Sequence, residues 1–326
     1  MSESAFPKFS FNTTADEVAT AFSQEIKGKN VLITGTSLNG IGFEAARVIA
    51  KHANLVVITG YNDERLKLSE EAIKKDVPAA NIRRLTLDLA SLAGVRKAAA
   101  EVNTYAEPLH VLIHNAAAAI GPFKLTVDNL ESQMATDHIG PFLFTKLLAR
   151  KLLASATPSY TPRVVFVSSG AHGYGSGVDF ATLGHPDAAL YDTNDGYNQA
   201  KSANILTAIE LSRRSKGAIK GYSLHPGVIF TNIHQREESI AAMQALGALG
   251  PDAKPSTEKF QWKTIPQGAA TTVTAAFDPR LDDMPGAYLD DSKVANESVA
   301  AHSSDPANAT KLWTATEEIV GETFTF

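Results

Sequence analysis

The 326-residue chain contains no cysteine. Disulfides, thiolate nucleophiles and cysteine-ligated zinc are therefore excluded. Nor is there an apolar run approaching the ~18 residues that a membrane span requires. Positive charge is not in excess: the formal net charge is -5, which gives no footprint for nucleic acid. The 9 histidines form neither a helical pair four residues apart nor a Glu-flanked motif, so no dedicated metal site is expected. The opening Met1-Ser2-Glu3-Ser4-Ala5-Phe6 lacks both a basic and an apolar leader region. A soluble cytoplasmic protein is the expectation. On that footing Asn12-Thr13-Thr14, Asn296-Glu297-Ser298 and Asn308-Ala309-Thr310 are chance matches to the glycosylation pattern.

What is present is an ordinary globular composition, 44% hydrophobic and 20% charged. Short apolar runs alternate with helical patterns. Strands are predicted at Val31 to Thr34, Leu55 to Thr59, Ile82 to Leu87, Leu109 to Ile113, Val164 to Ser168 and Tyr222 to Leu224. Their near-continuous apolar character fits strands buried on both faces of a parallel sheet. Between them, helices are predicted at Gly42 to Lys51, Asp63 to Lys75, Ser91 to Tyr105, Val127 to Leu153 and Tyr197 to Lys216. Repeated strand and helix give an α/β doubly wound, Rossmann-like parallel sheet in one domain, with helices on both faces. Residues 1–28 read as a lead-in with a short helix, Thr14 and Glu17 forming a capping box. Residues 29–326 read as a single nucleotide-binding catalytic domain. Two irregular stretches, 170–196 and 231–264, read as substrate loops.

Thr34-Gly35-Thr36-Ser37-Leu38-Asn39-Gly40-Ile41-Gly42 follows the first strand and opens a helix. Glycines there let the backbone turn tightly, and the helix N-terminus offers free N–H groups to a pyrophosphate. Gly35, Ser37, Asn39, Gly40, Ile41 and Gly42 are the candidate phosphate-binding residues. Asp88, with Leu89 beside it, ends the third strand where a carboxylate accepts from an adenine amino group. Asn115, in His114-Asn115-Ala116-Ala117, ends the fourth strand beside the expected nicotinamide ribose. The second strand ends Thr59-Gly60-Tyr61-Asn62, without an acid to bind a ribose 2′-hydroxyl. This neutral end tilts the expectation to NADP(H) over NAD(H), with Tyr61 at the ribose.

Tyr197 and Lys201 lie one helical turn apart, on one helix face. An ammonium near a tyrosine stabilises its phenolate, so Tyr197 reads as the general acid/base for a carbonyl or alcohol, with Lys201 as its activator. Such catalysis contributes roughly 10²–10⁴-fold. Ser169, ending the fifth strand, is a hydrogen-bond donor for the same oxygen. Pro226-Gly227-Val228 follows the sixth strand and reads as a rigid turn along the nicotinamide, with Thr231 beyond it placed to meet the carboxamide or the phosphates.

These motifs, in this order, resemble the short-chain dehydrogenase/reductases from about Gly28 to Tyr288. The lead-in, the long Ser169-to-Tyr197 segment and Gln267-Gly268-Ala269-Ala270 look most like the retinol-dehydrogenase-like and WW-domain-oxidoreductase-like branch, and fungal reductases look similar. The resemblance implies that Ser169, Tyr197 and Lys201 are the catalytic serine, tyrosine and lysine, and that Lys201 also holds the nicotinamide ribose. It implies a homodimer or homotetramer as well. Two departures stand out. Four residues, rather than three, separate the first two glycines. Asp137 stands where the family has a catalytic asparagine that holds a water leading to the lysine. The apolar stripe Phe142, Leu143, Phe144, Leu147 and Leu148 reads first as core and second as a dimer face, and His138 and His172 read as structural.

The expectation is an NAD(P)(H)-dependent oxidoreductase acting on the carbonyl or alcohol of an apolar organic substrate. A coenzyme-binding regulatory or interaction protein with little turnover is the alternative, motivated by Asp137 and the lengthened turn. An epimerase or dehydratase is a third reading.

Overall fold

The computed structural model describes residues 7–118, 120–232 and 237–326. Six strands, β1 Asn30–Ile33, β2 Leu55–Gly60, β3 Ile82–Thr86, β4 Val111–His114, β5 Arg163–Val167 and β6 Lys220–Leu224, form the body of one sheet. Its order is β3-β2-β1-β4-β5-β6, all parallel. Two short strands complete the edge. Of these, β9 Tyr288–Asp290 runs parallel to β6, and β10 Lys293–Val294 is antiparallel to β9. A separate parallel pair is formed by β7 Val228–Ile229 and β8 Trp262–Lys263.

Side-chain alternation divides the core into two layers. Val31 and Ile33 face a cluster with α1 Ala15–Ala21, α3 Ile41–Ala50, α4 Asp63–Asp76 and α10 Ile265–Phe277; Leu32 faces one with α5 Leu92–Thr104, α7 Gly140–Leu153, α8 Thr193–Arg214 and α12 Pro306–Val320. The smaller helices are α2 Ser23–Ile26, α6 Ser132–Met134, α9 Glu237–Ala245 and α11 Ala301–Ser304. The Thr14–Glu17 capping box opens α1 as expected. The expected stripe on α7 is core: Phe142, Leu143, Phe144 and Leu148 are buried within their own chain.

Two helix boundaries differ from the sequence expectation. The helix predicted from Val127 starts at Ser132, because the Glu131 carboxylate accepts from the Gln133 and Met134 N–H groups and stops the chain at a cap. It then passes through a π turn, Ala135–Ile139, before α7. The helix predicted from Tyr197 starts at Thr193, capped by Asp192, so Tyr197 lies in its second turn. The stretch 170–196 is irregular apart from the 3₁₀ turn Gly170–Gly173 and the start of α8; 231–264 holds α9 and β8.

Candidate active site

At the switch between β1 and β4 the sheet leaves a crevice beyond its carboxyl ends. The glycine-rich turn and Asn115 meet there. The Thr34 Oγ1 accepts from the N–H groups of Asn115 and Ala116, both at 3.0 Å, and the Asn115 amide donates to the Thr34 and Gly35 carbonyls at 3.0 Å. The packing leaves no room for side chains at two glycines. Gly35 has φ +71°, and a Cβ there would sit 2.7 Å from the Ala116 Cα; a Cβ on Gly42 would sit 2.6 Å from the Gly35 carbonyl and collide with the Asn115 amide. Asn39 takes up the inserted residue in a left-handed conformation, φ 59°. Gly40 caps α3 without a side-chain bond, so the first N–H groups of α3, including those of Ile41 and Gly42, are unclaimed by a cap. Ser37 is half-buried in the same turn. An anion fits this cradle.

Around it, Tyr61 is exposed after β2 and its hydroxyl accepts from Arg65 at 3.2 Å. Asp63, next in line, is held by Arg84. The exposed Asp88 receives the Ala90 N–H on one oxygen, while the Leu89 side chain is buried in the core. The Leu89 carbonyl abuts Gly140 at the start of α7. Ala116 and Ala117 are half-buried beside Asn115. Pro226 is buried, and Gly227, φ +94°, packs on the Lys263 stem. Val228 is in β7 and Thr231 is half-buried. Asn232 donates to the Leu38 carbonyl at 2.8 Å and Ser239 to the Ile120 carbonyl at 3.0 Å.

One β-strand away, Lys201 is buried with its Nζ 2.8 Å from Asp137 Oδ2 and 5.2 Å from the centre of the Tyr197 ring. Asp137 lies in the π turn, and its Oδ1 accepts from the Ala118 N–H at 2.7 Å. Burial pushes the Asp137 carboxyl up against the pull of Lys201. Burial alone lowers the Lys201 ammonium; Asp137 and Tyr197 together outweigh it and hold the value above the usual lysine range. Ser168 Oγ donates to the Lys201 carbonyl at 2.7 Å. Ser169 caps the 3₁₀ turn: its Oγ accepts from the Ala171 N–H at 3.2 Å, which leaves the hydroxyl proton for another oxygen.

The profile described as short chain dehydrogenase matches residues 29–180. A Brassica napus protein named Short-chain dehydrogenase TIC 32 A, chloroplastic, is 38% identical over 307 residues, 92% of this chain and 91% of the relative. The chain belongs to the short-chain dehydrogenase family. Among other relatives of this short-chain dehydrogenase, the WW domain-containing oxidoreductase of Danio rerio is 35% identical over 322 residues, 97% of this chain and 73% of the relative. A solved structure of an uncharacterized protein from Mycobacterium paratuberculosis superposes with a TM-score of 0.69 at 25% identity, covering 93% of this chain and 98% of that one. The NADPH-bound carbonyl reductase from chicken fatty liver has the same fold, with a TM-score of 0.58 at 21% identity over 82% of this chain and 99% of that one.

Several site residues escaped sequence reasoning. Thr34 is the hinge pin between β1 and β4. Ala118 supplies the N–H that fixes Asp137. His225, after β6, accepts from the Gly170 N–H at 3.0 Å and ties the Ser169 turn to the sheet. Its signal is its position just before Pro226-Gly227. His138 and His172 are hydrogen-bonded within the protein, as the structural reading expects. A cavity of about 80 Å³ is lined by Phe123, Met134, Leu183, Leu190 and Tyr191 together with the acidic residues Glu131, Asp179, Asp187, Asp192 and Asp195; Tyr197 and Lys201 are not among its walls.

Proposed function

We propose that this short-chain dehydrogenase is an NAD(P)(H)-dependent oxidoreductase of a carbonyl or alcohol group, with residues 29–326 as its catalytic domain. The cradle of Gly35, Ser37, Asn39, Gly40, Ile41 and Gly42 suits a pyrophosphate, Asp88 and Leu89 the adenine side, and Asn115 to Ala117 the ribose. Pro226, Gly227, Val228 and Thr231 border the nicotinamide side. A bound nicotinamide supplies or takes up the hydride. Tyr197 gives the proton to the carbonyl oxygen in reduction and takes it from the alcohol in oxidation. Ser169 donates a hydrogen bond to that oxygen as charge develops on it. Lys201 keeps a positive charge beneath the Tyr197 ring, and Asp137 fixes the Lys201 ammonium.

The observation that carries this reading is the buried Lys201, paired with Asp137 and set under Tyr197. NADP(H) is favoured over NAD(H): the end of β2 is followed by Arg65, which donates to Tyr61, and Asp63, one of the two acids before it, is engaged by Arg84. An apolar organic substrate is the proposed class. The cytoplasm stays the proposed compartment, although relatives carry the word chloroplastic in their names.

The test is absorbance at the reduced-nicotinamide band, with NADPH and then NADH, over aldehydes, ketones and quinones. Coenzyme oxidation that disappears in Tyr197→Phe, with coenzyme affinity intact, is the expected result. Coenzyme binding without turnover in either direction favours the second reading, a coenzyme-binding regulatory protein. The observation behind that reading is the offset of the Lys201 charge by Asp137.

A further inference from the structure

The C-terminal segment after β10 has no part in the reaction as described, yet it touches the site twice. Apolar packing accounts for most of its attachment. The Trp313 ring meets Phe142 of α7 at 4.8 Å and stacks on Phe324 at 4.9 Å, and Glu322 pairs with Arg96 and Lys146. Two hydrogen-bonded connections go further than packing requires. Each passes through a buried histidine next to a residue of the site.

We infer that the segment from Ala300 to Thr316 positions the reacting groups, with His172 and His138 as positioning residues that join it to Ser169 and to the turn bearing Asp137. This rests on the proposed reduction and oxidation at Ser169, Tyr197 and Lys201. It adds two residues and a part of the chain to that machinery.

The His172 arm is fixed by its donors and acceptors. Its Nδ1 lies 2.7 Å from the Ser169 carbonyl. A carbonyl only accepts, so Nδ1 carries the proton. The Nε2 of the neutral ring then accepts, and the Ala300 N–H faces it at 3.4 Å. Burial lowers the His172 value, outweighing the backbone bonds to Ser169 and Ser298 that raise it. The His172 carbonyl receives His302 Nε2 at 2.8 Å and Ser303 Oγ at 3.4 Å, and Ser303 meets Ser202, the residue after Lys201, at 2.8 Å. The turn opened by Ser169 is thus held at both of its ends by Ala300 to Ser303.

The His138 arm threads between two helices. Its Nε2 lies 2.8 Å from Thr316 Oγ1 of α12, and its Nδ1 lies 3.2 Å from Thr207 Oγ1 of α8. Each threonine hydroxyl also faces a carbonyl one turn back, Leu312 at 2.7 Å and Ala203 at 2.8 Å. A neutral imidazole has one N–H, so one threonine must turn its proton to the ring. The ring therefore couples α12 to α8 across the π turn, and that turn holds Asp137 against Lys201.

The test is steady-state turnover with NADPH and a reducible carbonyl, NADPH affinity by fluorescence, and thermal unfolding, on single substitutions. His172→Asn retains an amide to donate to the Ser169 carbonyl; His172→Ala does not. Ala300→Pro removes the N–H in a backbone that already suits proline, with φ -58° and an extended Val299 before it. Thr316→Val deletes one hydroxyl at constant volume. We expect kcat to fall on the order of 10-fold in His172→Ala and Ala300→Pro, a loss of transition-state interaction. Thr316→Val should lose less, His172→Asn should recover most of the activity, and NADPH affinity should hold within about twofold. The two subtler variants report even where His172→Ala does not fold. Tyr197-dependent turnover that ignores all four substitutions overturns the inference alone. Parallel loss of kcat and NADPH affinity, or an Asn variant no better than Ala, also overturns it. Absence of any turnover in the unaltered chain overturns it together with the proposed function.

Discussion

Asp137 Oδ2 lies 2.8 Å from Lys201 Nζ, and both side chains are buried. The resemblance sets an asparagine at this position, and the carboxylate found here makes the lysine half of an ion pair. Breaking a buried pair from one side leaves an uncompensated charge, at a cost of about 3–5 kcal/mol. Asp137→Ala should be destabilised by that order in denaturant titration. Asp137→Asn keeps one acceptor oxygen, enough for Lys201 or for Ala118 but not for both, and should lose less than Asp137→Ala. Equal losses would mean that the pair contributes nothing specific.

Acid sensitivity should trace to buried histidines. Burial lowers His138 and His114 to about 3, from an ordinary value of about 6.5. A depressed value means that the unfolded chain takes up protons that the folded one refuses. The stability contributed is complete above about pH 6.5 and is lost as pH falls toward about 3. Unfolding free energy measured from pH 7 to 4 should drop steeply, and His138→Gln should flatten the slope. An unchanged slope would assign the acid sensitivity elsewhere.

Gly42→Ala adds a methyl where the Asn115 amide and the Gly35 carbonyl already sit. The expected cost is about 1–3 kcal/mol of overpacking, with a clear loss of NADPH affinity because the glycine-rich turn must shift. Thermal unfolding and a fluorescence titration read the two effects, and a neutral result in both would remove the turn from the coenzyme site.

Arg65→Ala removes the cation beside Tyr61. A hydrogen bond to a charged group contributes about 1.5–3 kcal/mol, so KM for NADPH should rise roughly 10-fold or more while KM for NADH barely moves. A parallel change in both would take the 2′-phosphate away from Arg65.

Trp313→Ala opens a gap between Phe142 and Phe324. Large-to-small changes at buried aromatics cost about 3–5 kcal/mol. A loss of that size in chemical denaturation, in one cooperative transition, would mark α12 as part of the folding unit; a separate early transition would mark it as an appendage.

The sequence by itself determined the features that depend on short stretches of chain. Apolar runs and capping residues set the six strands and most of the helices between them, and strand-helix alternation implied the parallel sheet. Glycine spacing marked the phosphate turn, and one helical turn joined Tyr197 to Lys201. Capping signals also mark helices that the periodicity reading passed over: Thr264 with Gln267 before α10, and Asp305-Pro306 with Gly321 around α12. Only the tertiary structure decided what those elements touch. The direct contact of Asp137 with Lys201, the crossing of Thr34 to Asn115, and the reach of Ala300 and Thr316 to His172 and His138 join residues far apart in the chain. The physical reason is range: caps and periodicity act within a few residues, whereas ion pairs and buried hydrogen bonds depend on which faces the folded core brings together. The start of the helix at Ser132 shows the same limit, since the apolar pattern runs on from Val127 and the Glu131 cap outweighs it.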